Sequence, residues 1–132
     1  MPEMDEPLEE ERPKIKTILV VEDDADRGEF LVQALKDETP YQAVLAPDGF
    51  QALKMVRTLK PHLFVLDYLL PRMNGLELYD QLHTMEGLET IPALLMSANL
   101  PAKELEKRRV SAITKPFELE ELLQTIEKLL AE

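Results

Sequence analysis

From Thr17 onward the chain alternates short apolar runs with longer stretches of mixed character. Thr17-Ile18-Leu19-Val20-Val21 is the first run, and His62-Leu63-Phe64-Val65-Leu66 another. Ala93-Leu94-Leu95-Met96 and Ser111-Ala112-Ile113-Thr114 are later ones. Together with the segment at 42–46, these predict strands near 17–21, 42–46, 62–66, 92–96 and 110–114. The stretches between them predict helices near 25–37, 48–59, 75–86 and 101–108, with a last one near 118–131. In that last segment Leu119, Leu122, Leu123, Ile126, Leu129 and Leu130 recur at helical spacing, while Glu120, Glu121, Glu127 and Lys128 fall on the opposite face. Asp48 suits the N-cap of the second helix and Pro101 the first turn of the fourth. Strands alternating with helices predict an α/β fold built on a parallel sheet, and short right-handed crossovers make it a five-stranded doubly wound one.

Residues 1–14 depart from this pattern. Pro2, Pro7 and Pro13 stand among six acidic residues with little apolar material, a composition expected to stay an unpacked tail. Residues 15–132 are expected to form one domain, since the chain's 132 residues leave room for a single core. No apolar stretch approaches the roughly 20 residues of a membrane span, and the acidic start is unlike a signal peptide, so the expected location is the cytoplasm. The absence of cysteine excludes disulfides, thiolate metal sites and cysteine nucleophiles. Net charge is −11, from 26 acidic against 15 basic residues, which argues against a direct nucleic-acid partner. The one basic cluster, Lys107-Arg108-Arg109, reads either as the solvated end of a helix or as a docking spot for an acidic partner.

Chemistry gathers where the runs end. The first ends in Glu22-Asp23-Asp24, the third in Asp67, the fourth in Ser97-Ala98 and the fifth in Lys115-Pro116-Phe117. A parallel sheet puts all these ends on one edge, outside which ligands bind. Carboxylates brought within about 4 Å of one another repel by roughly 4 kcal/mol per pair at an effective dielectric near 20, so a positive group is needed among them. A hard divalent cation such as Mg²⁺, held by one or two carboxylates with water and a phosphate, fits that need, and Lys115 adds a further charge. Each residue also has a plainer role open to it. Asp67 could cap a turn, Glu22 and Asp23 could be acids at a helix start, Ser97 a turn hydroxyl and Lys115 a surface lysine. His62 and His83 have no spaced ligand partners and are expected to be structural or exposed.

In order and spacing, Val21-Glu22-Asp23, Asp67 with Pro71, Met73 and Gly75 behind it, Ser97-Ala98 and Lys115-Pro116-Phe117 resemble the receiver domain of two-component response regulators. The resemblance covers nearly all the chain after about residue 15. It implies a flavodoxin-like sheet of order 2-1-3-4-5 and a cis bond at Lys115-Pro116. It also implies that Asp67 is the phosphoacceptor, that Glu22, Asp23, Asp67 and the Leu69 carbonyl hold Mg²⁺, that Ser97 is the switch hydroxyl, and that Lys115 contacts the phosphoryl group. The partners implied are a sensor histidine kinase or phosphotransfer protein and a downstream protein. The expected function is therefore a stand-alone phosphoacceptor, not an enzyme acting on a metabolite.

Departures from the pattern are also legible. Ser97 and Lys115 are 18 residues apart, shorter than the usual receiver spacing, so the fourth helix or its following loop is expected to be abbreviated. Ala112 stands where many receivers carry Tyr or Phe, which excludes an aromatic rotamer switch there. Leu69, two after Asp67, and Asn99, two after Ser97, are expected to alter the access of hydrolytic water. A pseudo-receiver that binds partners without phosphate chemistry is the main alternative. An aspartyl-nucleophile hydrolase would want an acid where Leu69 stands, and a flavin binder would not place Glu22-Asp23-Asp24 against a phosphate.

Overall fold

A computed structural model describes residues 15–100 and 102–131. Five strands, β1 (Thr17–Val21), β2 (Gln42–Ala46), β3 (Leu63–Asp67), β4 (Ala93–Ser97) and β5 (Ser111–Thr114), form one parallel sheet in the order β2-β1-β3-β4-β5. Five helices connect or close it: α1 (Ala25–Glu38), α2 (Gly49–Met55), α3 (Gly75–Leu82), α4 (Ala102–Glu106) and α5 (Leu119–Leu130). The expected tail at 1–14 and the expected role of Pro101 lie outside the described residues.

Every residue of β1, β3 and β4 is buried, as a central strand covered on both faces requires, while β2 and β5 are partly exposed edges. Strand periodicity then divides the core in two. Leu19, Val21, Phe64, Leu66, Ala93 and Leu95 face α2 and α3, meeting Ala52, Leu76, Tyr79 and Leu82. Ile18, Val20, Leu63, Val65, Leu94 and Met96 face α1 and α5, meeting Leu31, Leu35, Leu122 and Ile126. The apolar face predicted for the last helix is the one that packs.

Helix ends depart from the sequence pattern. α2 stops at Met55 because Arg57 and Thr58 turn back to the carbonyls of Lys54 and Met55, and Pro61 follows. α3 stops at Leu82, where Thr84 Oγ1 donates to Gln81 O (2.7 Å) and the His83 ring takes the Tyr79 carbonyl (3.0 Å). The fourth helix is short, as expected, with five residues and none of them buried. Arg108 ties this region to α3 through paired contacts to Asp80 of 2.7 and 2.8 Å, and it also reaches Glu104. Much of the basic cluster is thus occupied within the fold. His62 Nδ1 accepts the Thr17 N–H at 3.0 Å, and both His83 ring nitrogens lie against backbone carbonyls, so both histidines have structural contacts.

Candidate functional site

Because Val21 pairs with Leu66, the next residues, Glu22 and Asp67, leave the sheet side by side at its carboxyl edge. Each is 2% exposed. Glu22 is held in strand direction by its N–H bond to Ala46 O (3.1 Å), and Asp23 turns outward into solvent. Carboxylate oxygens of Glu22, Asp23 and Asp67 lie within 4.8 Å of one another. On the other side, Lys115 Nζ donates to Asp67 Oδ1 at 2.6 Å. The Lys115 N–H bonds to Ser97 O (2.8 Å), which ties the end of β5 to β4, and the Lys115–Pro116 bond is cis.

Residues 68–75 hold the backbone at Asp67 in place. Tyr68 N–H bonds to Met96 O (2.9 Å) and Gly75 N–H to Tyr68 O (2.9 Å), folding residues 68–74 back over the strand end. A Cβ at Gly75 would stand 2.5 Å from Asp67 O and 3.1 Å from Tyr68 Cα, so glycine lets α3 start against the backbone of Asp67 itself. Asn74 caps α3 in a reciprocal box with Glu77, at 2.8 and 2.9 Å. The Asn-x-x-Glu spacing was a readable signal for that start.

Electrostatically the site is acidic and partly dry. Burial, reinforced by the charge of Asp67, raises the Glu22 carboxyl above its ordinary value, against the Asp24 N–H (3.1 Å) and Arg27, which favour its charge. Three carboxylates from adjacent strand ends, two of them buried, form the oxygen-only donor set that a hard divalent cation prefers, and Mg²⁺ fits it. Among the described residues this is the one grouping of its kind.

Ser97 ends β4, and Leu69 stands two residues beyond the end of β3. The Ser97 hydroxyl, 4% exposed, donates to Asn99 O (2.8 Å) and accepts the Asn99 N–H (3.2 Å), closing a local turn. Leu69, of which the backbone carbonyl is the expected metal ligand, is 73% exposed. Asp24, by contrast, caps α1 through the Arg27 N–H (2.9 Å), as a helix-start acid should. Sequence reasoning did not single out Arg27, whose Nη2 reaches Glu22 Oε2 at 3.4 Å. It also passed over the apolar cleft of about 280 Å³ beside Lys115, lined by Phe30, Leu31, Met96 and Phe117. Phe30, 60% exposed, falls outside the buried stripe of α1, and that mismatch was the available signal.

The chain is similar to known proteins over most of its length. The family model for the response regulator receiver domain matches residues 18–127. The DNA-binding response regulator MtrA of Mycolicibacterium paratuberculosis is 37% identical over 113 residues, covering 83% of this chain and 48% of that protein. The hybrid signal transduction histidine kinase D of Dictyostelium discoideum is 35% identical over 117 residues, 86% of this chain but 7% of its own length. The chain therefore spans less than half the length of these curated relatives. Among solved structures, the receiver domain of the sensor histidine kinase PA1611 from Pseudomonas aeruginosa PAO1, described with a magnesium ion coordinated in its active site cleft, superposes with a TM-score of 0.79. At 22% identity, covering 90% of this chain and 100% of that one, this likeness concerns the fold.

Proposed function

The chain belongs to the response regulator receiver domain family, and on that premise we propose that Asp67 accepts a phosphoryl group from the phosphohistidine of a sensor histidine kinase or phosphotransfer protein. The outcome is a change in the protein's contacts with a downstream partner. The observation that carries this reading is the buried Asp67 carboxylate, held at 2.6 Å by Lys115 and flanked by two further acids within 4.8 Å.

The residues fit the requirements of the reaction. An oxygen of Asp67 forms the new P–O bond as the donor's P–N bond breaks. The electron pair of that bond stays on the imidazole nitrogen, which takes a proton from solvent. Phosphoryl transfer asks chiefly for positioning and for positive charge near the phosphoryl oxygens. The Lys115 ammonium meets part of that need from within the chain. Glu22, Asp23 and Asp67, with the Leu69 carbonyl, would hold Mg²⁺, which supplies further neutralising charge when bound. The open cleft bordered by Phe30 and Phe117 leaves an approach to this edge of the sheet. Ser97 then exchanges its bond to Asn99 O for one to a phosphoryl oxygen, reshaping the β4–α4 loop without the aromatic partner that Ala112 removes.

Phosphoramidate, which carries a P–N bond, tests the acceptor role directly. Incubation with Mg²⁺ is expected to produce a phosphorylated form retarded on a phosphate-affinity gel, and Asp67→Ala to produce none. Equal labelling of the variant would place the acceptor elsewhere. Labelling of neither would favour the pseudo-receiver, a reading that Ala112 and the short α4, with no fully buried residue, support.

A further inference from the structure

We propose that Arg27 is a resident counter-cation for the acidic site, occupying Glu22 in the metal-free protein and setting by competition how much Mg²⁺ the site requires. The inference rests on the reading of Glu22, Asp23 and Asp67 as the Mg²⁺-holding acids. Arg27 Nη2 lies 3.4 Å from Glu22 Oε2, and the two side chains differ sharply in exposure, 61% for Arg27 and 1% for Glu22. The carboxylate is fixed and nearly dry, whereas the guanidinium reaches it from solvent.

Helix electrostatics do not account for Arg27. It occupies the first turn of α1, where the macrodipole disfavours a cation, and Asp24 already satisfies the local N–H groups as the cap. Its Nη1 stands 4.0 Å from Asp24, a looser contact than the one to Glu22. What the position offers is reach to the buried acid.

Charge bookkeeping at the site gives the consequence. The grouped carboxylates of Glu22, Asp23 and Asp67, with Lys115 and Arg27, carry one net negative charge between them, Asp24 lying outside the group as the cap of α1. Lys115 is bound at 2.6 Å and is 28% exposed, so it is the fixed cation. Arg27, longer in its contact and more exposed, is the one an entering divalent ion displaces. Removing its charge leaves two net negative charges and deepens the attraction for Mg²⁺ at the expense of the metal-free protein.

The test is calorimetric titration of Mg²⁺ into the intact chain and into Arg27→Gln and Arg27→Lys, with thermal melts of each in EDTA. Arg27→Gln keeps a donor while losing the charge. It is expected to bind Mg²⁺ about three- to tenfold more tightly, judged from a single charge near the site at intermediate dielectric, and to melt lower in EDTA. Arg27→Lys should stay close to wild type. The affinity gain should shrink as salt is raised, which a purely structural role would not produce. An Arg27→Gln chain that binds Mg²⁺ no more tightly than wild type overturns the proposal while leaving the metal site intact. A wild-type chain that takes up no Mg²⁺ overturns the site reading itself, and the proposal with it.

Discussion

Leu69 stands two residues beyond Asp67 and is 73% exposed, so it neither fills the site nor offers a polar group to an attacking water. Replacing it with Asn supplies such a group. Leu69→Asn is expected to shorten the lifetime of the phosphorylated form severalfold, read as the decay of the phosphoprotein mass after the phosphodonor is removed; an unchanged lifetime would remove this role. Asp67, Glu22 and Lys115 were legible because each ends an apolar run, and a parallel sheet gathers such ends. Arg27 was not, because an arginine in the first turn of a helix carries no sequence mark of the acid that it faces. The turn made by Ser97 and Asn99 was equally silent, since a hydroxyl is chemically the same whether it faces a turn or a ligand.

Helices show where pattern reading stops. The stripe of α5 located its buried face because Leu122, Ile126 and Leu130 pack on the sheet. The ends of α2 and α3 fell short of the pattern because local bonds from turn residues and side chains replaced helical ones, an outcome that hydrophobic spacing does not record. At α4 the partly buried Leu105 makes the helix's contact with the core, and the Arg108–Asp80 pair links this side of the domain to α3. Its hydrogen bonds hold the Asp80 carboxyl below its ordinary value. A carboxyl depressed in the folded state contributes stability above its unfolded value and loses it as pH falls through the lower folded one. Asp80 is half exposed, so solvent screening limits the pair to roughly 0.2–1 kcal/mol. Asp80→Asn is therefore expected to lower Tm by about 1–5 °C at pH 7, with the difference from wild type narrowing through the acid range. A difference independent of pH would show that the pair's charge is not its contribution.

At the scale of the whole molecule, the strand order makes the site: only with β1 beside β3 do Glu22 and Asp67 emerge as neighbours. Alternation of strands and helices made the fold class readable, whereas the order itself came with the family resemblance and is the one the structure has. None of the described helices is long and apolar enough to cross a membrane. The curated relatives carry the corresponding segment within longer chains. What this chain holds at the carboxyl edge of its sheet is a buried carboxylate, Asp67, with Lys115 bound to it and Glu22 and Asp23 beside it. Intact-mass measurement after acetyl phosphate treatment, with Mg²⁺, with EDTA, and with Asp67→Ala, tests that set at once. The account predicts one phosphoryl adduct that requires Mg²⁺ and vanishes in the variant; an adduct that persists in EDTA or in Asp67→Ala would contradict it.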